Sequence, residues 1–190
     1  MPFEFRELDL AGVYEIVPSR IADSRGFFSE VFNREAFRKR GVVADWVQDN
    51  HSFSARRNVL RGLHFQRPPF AQDKLVRVLR GAVLDVIVDI RHGSPTFAGW
   101  TSIVLSAREW NQVLVPKGFA HGMLTLEDET EVIIRVSAGF SRAHDGVIRY
   151  DDPAIGVDWL LDGATPILSD KDRKARPLGE QDTGFVYAAP

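Results

Sequence analysis

Two histidines stand beside glycines in strand-like surroundings, Gly62-Leu63-His64-Phe65-Gln66 and Pro116-Lys117-Gly118-Phe119-Ala120-His121-Gly122. An imidazole titrates near neutrality and can take a carbon-bound proton, a carboxylate beside it can hold one tautomer, and a cation can stabilise the enolate that results. Asp172 offers such a carboxylate and Lys74 such a cation. Alone, each histidine could equally be a core residue hydrogen-bonded to backbone; together with a lysine and a carboxylate they suit acid-base work at a carbon next to a carbonyl.

A metal site is the competing reading, because Pro-x-Gly-x-x-His is also a pattern that delivers a metal ligand from a strand after a tight turn. Such sites take two histidines at alternating strand positions and a carboxylate further on. Here the alternate position after His64 is Gln66 and the next segment offers Lys74. That donor set is poor for a transition metal, so no metal and no cofactor is expected. Arginines beside aromatics suit a different ligand. Arg61 precedes His64 by three residues, Arg25 lies in Asp23-Ser24-Arg25-Gly26-Phe27-Phe28, and Gln48, Asp49, Asn50 and His51 stand together. Guanidinium forks can hold a phosphate while a ring stacks on a base, although composition alone allows a plain solvated surface.

The elements that must position these groups read as strands. Leu75 to Leu79, Ala82 to Ile90, Trp100 to Leu105, Gln112 to Val115, Gly122 to Leu126 and Glu131 to Val136 are short runs parted by turn residues, which points to an antiparallel sandwich or barrel. In the second run, Ala82, Leu84, Val86, Val88 and Ile90 share a face while Asp85 and Asp89 share the other, which predicts one core face and one wet or functional face. A helix is expected over Asn33 to Lys39, capped by Asn33 and stopped at Gly41, and a second near Ser169 as cap. The 190 residues, 44% hydrophobic and 26% charged, fit one soluble domain over 1–190, with a loosely attached tail after about Arg176. No apolar run approaches the ~20 residues of a membrane span. The first residues lack a secretory pattern and cysteine is absent, in keeping with a cytoplasmic protein. A net charge of −2 gives no general pull toward nucleic acid or membranes.

Taken in order, Asp23-x-Arg25-Gly26-Phe27-Phe28-x-Glu30, Val47-Gln48-Asp49-Asn50-His51-Ser52, Val59-Leu60-Arg61-Gly62-Leu63-His64-Phe65-Gln66, Lys74-Leu75-Val76-Arg77, the Pro116 to Gly122 segment, Asp152 to Trp159, and Leu168-Ser169-x-Lys171-Asp172 resemble the dTDP-4-dehydrorhamnose 3,5-epimerases. The resemblance runs from about Phe5 to about Arg176. It implies an all-β fold, a cupin-type jelly roll with short peripheral helices and no metal. It also implies a homodimer exchanging an N-terminal strand, and nucleotide-diphosphate 4-keto-6-deoxy sugars as substrates. By the same resemblance His64 is the base, Asp172 its partner and Lys74 the cation near the enolate. Arg61, Arg25 and Lys171 match diphosphate-contacting positions, and Phe28, Glu30, Gln48, Asn50 and His121 match positions lining nucleotide and sugar.

One departure stands out. The tyrosine that the family uses as the returning acid falls, counting from His121 without a gap, on Ile134; the tyrosines that follow in the family are Gly139 and Phe140 here, and Tyr150 is the closest phenol in sequence. Three outcomes follow from that reading: an epimerase inverting one centre, C3, with the proton returned by water or another group; a keto-isomerase or eliminase; or a sugar-nucleotide binding protein without turnover.

Overall fold

Alternation of apolar and polar residues sorts most of the chain into two facing antiparallel sheets. The computed structural model describes residues 2–188. The strands are β1 (Phe3–Glu7), β2 (Tyr14–Pro18), β3 (Ile21–Asp23), β4 (Gly26–Phe28), β5 (Gln48–Ser54), β6 (Leu60–Gln66) and β7 (Lys74–Arg80). They continue with β8 (Ala82–Asp89), β9 (Trp100–Ser106), β10 (Gln112–Val115), β11 (Phe119–Thr125), β12 (Thr130–Val136) and β13 (Asp145–Val147). One sheet runs β1-β2-β10-β7-β12-β5 and the other β13-β6-β11-β8-β9, while β3 and β4 form a separate hairpin. The fold is the expected jelly roll, and every strand read from the middle of the sequence is present to within a few residues.

Both faces of β8 and β11, at the centre of the five-stranded sheet, are buried. Val83, Ile87, Phe119 and Met123 meet Val76, Val78, Val113 and Val132 between the sheets, and Leu63, Phe65, Leu84, Val86 and Val88 pack outward under Ile148, Ile155, Trp159 and Leu178. Of the two readings of the second face of β8, wet or functional, the wet one is corrected: that face is buried, and Asp85 on it pairs with His121. Asp85 and Asp89 are fully buried, Asp89 being satisfied by Arg91, Ser94 and Thr96. A jelly roll buries its inner face against the second sheet, and here the C-terminal segment covers the outer one. The tail expected to be loose is part of that cover. Leu178 is buried and donates its N–H to Asp152, Thr183 donates to the carbonyl of Ile90, and Val186 bridges to His92. Residues 189 and 190 of that tail lie outside the described residues.

Where the two histidine strands meet, the register slips. His121 pairs with His64 but Met123 pairs with Arg61, so β6 carries one residue more than β11 over this stretch. Such a bulge re-aims side chains. Arg61 and His64 are three apart and would face opposite sides of a regular strand; the extra residue turns both inward. Gly62 makes this possible, since a Cβ there would sit 2.6 Å from the Cα of Gly122. The two helices are single turns. Asn33 caps α1 (Arg34–Arg38) by accepting from the Ala36 N–H, and Ser169 caps α2 (Asp170–Arg173) by accepting from the Asp172 N–H. Both caps fall where the sequence placed them.

Candidate active site

A cavity of about 390 Å³ opens between the sheets, next to the apolar inter-sheet core that Ile134 also packs against. The five-stranded sheet supplies His64 and Gln66 from β6 and His121 from β11. The six-stranded sheet supplies Asn50 from β5, Lys74 from β7, and Ile134 and Val136 from β12. Asp145, Lys171, Gln72 and Phe140 complete the rim. Period-two alternation explains the choice along β5: Gln48 and Asn50 take the cavity face, while Asp49 and His51 pair with Arg135 and Glu131 on the outer one.

His64 is held from behind. Its Nε2 lies 2.6 Å from Asp172 Oδ1, and the other carboxylate oxygen accepts a 2.6 Å bond from the Ser169 hydroxyl. The cap of α2 therefore fixes the carboxylate that fixes the imidazole. With Nε2 donating to Asp172, Nδ1 carries the lone pair. Burial lowers the His64 pKa below the usual 6.5, and the positive charges of Lys171 and Lys74 push the same way, against the bond and charge of Asp172. Burial pushes the Asp172 carboxyl up, but the bonds from His64 and Ser169 outweigh it and hold it below the usual carboxylate range. The result is a neutral base beside an ionised orienting partner.

Lys74 reaches from the other sheet to donate a 3.0 Å bond to the backbone carbonyl of His64. It is buried, and desolvation draws its pKa down to about 8, against the nearby negative charges of Asp85 and Asp145. A second imidazole stands beside the first: His121 is the register partner of His64, and its Nε2 lies 2.8 Å from buried Asp85. Such a constellation can remove a proton next to a ketone and stabilise the oxyanion that forms.

Of the groups expected from sequence, His64, Lys74, Asn50, His121 and Lys171 line the cavity, and Asp172 stands directly behind the base. Gln48 sits one step along, its amide donating to Asn50 and its carbonyl accepting from the Phe140 N–H. Arg61 lies outside the cavity lining and reaches the end of β5, donating to Phe53 O and Ser54 Oγ, with its buried Nε unpartnered. Arg25, Phe28 and Glu30 are not brought to the cavity within the chain. Arg25 pairs with Asp23 at the tip of the β3–β4 hairpin, Phe28 is 70% exposed, and Glu30 accepts from Asn33.

Tyr150 is not brought round either. It packs against the outer core of the five-stranded sheet, its carbonyl accepting from the Trp159 indole, while Tyr14 and Tyr187 lie in the N-terminal cluster and beside Arg91. No phenol among the described residues lines the cavity. Besides the wall residues Gln66, Gln72, Val136 and Phe140, two charged contributors were not named as site residues from sequence. Asp85 was visible as a carboxylate in an alternating strand, but its partner is a strand away. Asp145 pairs with Lys171 across a long loop and carried no local signal.

The sequence profile described as dTDP-4-dehydrorhamnose 3,5-epimerase matches residues 7–180. A dTDP-4-dehydrorhamnose 3,5-epimerase of Sinorhizobium fredii is 47% identical over 183 residues, covering 96% of this chain and 93% of that protein. The dTDP-6-deoxy-D-glucose-3,5-epimerase of Legionella pneumophila, solved in complex with dTDP-4-keto-L-rhamnose, superposes with a TM-score of 0.94 at 37% identity, over 99% of this chain and 100% of that one. A 3'-monoepimerase from Streptomyces bikiniensis, solved as a double mutant with dTDP, gives 0.86 at 33% identity, over 92% and 87% of the two chains.

Proposed function

The chain belongs to the dTDP-4-dehydrorhamnose 3,5-epimerase family and is a carbohydrate epimerase acting on a nucleotide-diphosphate 4-keto-6-deoxy sugar; from that premise we propose that His64 takes the proton from C3, next to the C4 ketone, and that inversion is confined to that carbon. The observation that carries this reading is the 2.6 Å His64–Asp172 pair facing a cavity that also holds the Lys74 ammonium. Deprotonation leaves an enolate whose negative oxygen a buried cation stabilises more strongly than water would.

Restriction to one centre rests on Ile134. In the Streptomyces bikiniensis monoepimerase a histidine and a tyrosine seventy positions apart were replaced together, and seventy positions beyond His64 this chain carries Ile134. An alkyl side chain donates no proton, so a chain lacking that phenol is left with fewer ways to deliver protons across the ring. A single-centre enzyme on this fold is within its known range, as the same relative illustrates; that relative carries the tyrosine, so it supports single-centre inversion on this fold and not the link to Ile134. Incubating the protein with dTDP-4-keto-6-deoxyglucose in deuterated water and following the sugar protons by magnetic resonance tests this. The expected result is deuterium entry and inversion at C3 with the C5 proton retained. Exchange at neither carbon defeats the reading, and inversion at both removes its restriction to C3.

We place the protein in the cytoplasm as a homodimer, with Arg25, Phe28 and Glu30 entering the partner's cavity on the β3–β4 hairpin. What supports the dimer is that Ile21, Phe27 and Phe28 are more than half exposed on that hairpin, together with the distance in the fold between these residues and the cavity their sequence pattern assigns them to. Mixing an Arg25→Ala chain with a His64→Asn chain is expected to restore activity absent from either alone, since one cavity of each mixed dimer would be intact. Failure of complementation under subunit exchange removes the shared site.

A further inference from the structure

The base depends on a carboxylate that a single turn of helix carries, and one turn does not hold its own position. α2 spans four residues, so Asp172 stays 2.6 Å from His64 only as firmly as the chain on either side of α2 is anchored. Ahead of the helix, Ile167 bridges to Val59 next to β6, accepting from the Leu60 N–H and donating to the carbonyl of Asn58. Behind it, Arg176 bridges to Ile148, which exchanges two backbone bonds with Leu63, the residue before His64. That second tie has one backbone bond of its own, from the Arg149 N–H to the Arg176 carbonyl. Side chains supply the rest. Gln181 donates its amide to the carbonyls of Arg176 and Val147, and Asp152 accepts the Leu178 N–H at 2.6 Å.

We propose that Asp152 is a positioning residue for the reaction, acting through Leu178 and the Arg176 bridge to hold α2 where Asp172 meets His64. The assignment rests on the epimerase reading above. Asp152 opens the Asp152 to Trp159 segment, which belongs to the family pattern yet contributes nothing to the cavity lining. Its carboxylate is 2% exposed and its two oxygens are divided. One accepts the Ala154 N–H and caps its own turn; the other reaches Leu178, far along the chain. A turn alone needs one acceptor, which asparagine or serine supplies. A second, charge-assisted bond from the same buried group needs a carboxylate, and it fixes two distant segments in one relation.

The packing around this tie leaves it little slack. Leu178 is buried against the same cluster as Leu63, Ile148, Ile155 and Trp159, so the acceptor, the donor and the strand that carries the base share one apolar body. A shift of Leu178 therefore passes through Pro177 to Arg176 and on to the end of α2. The charged and titratable groups that face His64 are Asp172 and Lys171 on α2, Lys74 on β7, His121 on β11 and Asp145 on β13. Asp172 and Lys171 ride on the helix that Asp152 anchors. Of these two, Asp172 acts on the imidazole more strongly, because it is in direct hydrogen-bond contact. Loosening α2 thus weakens the interaction that raises the His64 pKa and makes the base less well oriented.

The experiment combines Asp152→Asn and Gln181→Leu, each in the parent protein and in Asp172→Asn, with two readouts. One is the titration of the His64 imidazole by magnetic resonance, its signal assigned with His64→Asn; the other is kcat for deuterium exchange into dTDP-4-keto-6-deoxyglucose. Asp152→Asn keeps the shape of the side chain but leaves one of the two N–H groups facing an amide that itself donates. It is expected to lower kcat about tenfold and to move the His64 pKa down toward its value in Asp172→Asn. In the Asp172→Asn background both effects should shrink to less than about twofold, since the carboxylate to be positioned is gone. Gln181→Leu should act in the same direction at about threefold, and it removes only donors, so it decides the matter if Asp152→Asn does not fold. Equal losses in both backgrounds with an unmoved His64 titration would make Asp152 an anchor of the fold alone and overturn the assignment. So would folded variants with kcat and titration unchanged. Absence of exchange in the parent protein removes the epimerase reading, while the His64 titration still decides whether Asp152 positions the pair.

Discussion

The molecule contains the same pair of side chains twice, and the two pairs have different fates. His64 with Asp172 and His121 with Asp85 both join Nε2 to a carboxylate, at 2.6 Å and 2.8 Å, from adjacent strands of one sheet. The His64 ring is 34% exposed into the cavity, whereas that of His121 is 5% exposed over a carboxylate with no solvent contact. The first carboxylate comes from a short helix and is gripped by Ser169. The second comes from the neighbouring strand β8 and leaves its Oδ1 without a partner. An imidazole that must exchange a proton needs an open edge and a carboxylate that stays ionised. One that only presents a fixed donor can be locked in the sheet. Identity of residue type therefore does not imply identity of role; access decides it.

The comparison breaks most sharply at the base. His64→Asn is expected to lower kcat for exchange by about 10³-fold or more with dTDP affinity little changed, measured by deuterium entry and by titration with the nucleotide. A residual rate near that of the parent would transfer the base to His121 and reverse the assignment.

Asp172→Asn should lower kcat about 100-fold, because an amide no longer holds the tautomer with Nδ1 unprotonated or stabilises the imidazolium. The pH dependence sharpens the point. The base must be neutral, and burial has lowered its pKa, so activity should persist below pH 6.5 and fail only on further acidification; its alkaline limb should lie near 8, where Lys74 loses its proton. Removing the carboxylate takes away the interaction that raises the His64 pKa, so the acid limb should move to still lower pH in Asp172→Asn.

For the buried pair the effect is smaller and of another kind. Asp85→Asn is expected to weaken substrate binding about tenfold, roughly 1.4 kcal/mol, while exchange at saturating substrate stays within a few-fold. A loss of kcat as large as that at Asp172 would make the two pairs equivalent. Ser169→Ala should have the mildest effect: a few-fold in kcat through the loosened carboxylate, and about 1 kcal/mol of stability for the lost cap, read by chemical denaturation.

Much of the frame was written locally. The alternating runs from Leu75 to Val136 gave the central strands, because a half-buried strand must repeat every two residues, and Asn33 and Ser169 announced their helices because the first N–H groups of a helix need an acceptor. The tail after Arg176 and the second face of β8 could not be read the same way. Their burial depends on segments more than twenty residues away packing over them. The site divides along the same line. Residue types offered two histidines, Lys74 and Asp172 as groups for acid-base work, and the family resemblance assigned the base to His64 and marked Ile134 as the position expected to hold a tyrosine. That Asp85 belongs to His121, that Tyr150 lies on the wrong side of its sheet, and that Arg61 shares a face with His64 were decided by strand pairing and by a bulge. The sequence by itself determined which chemical groups this protein owns; only the tertiary structure decided which wall of the cavity each stands on, because proton delivery depends on direction in space and spacing along a chain does not encode it.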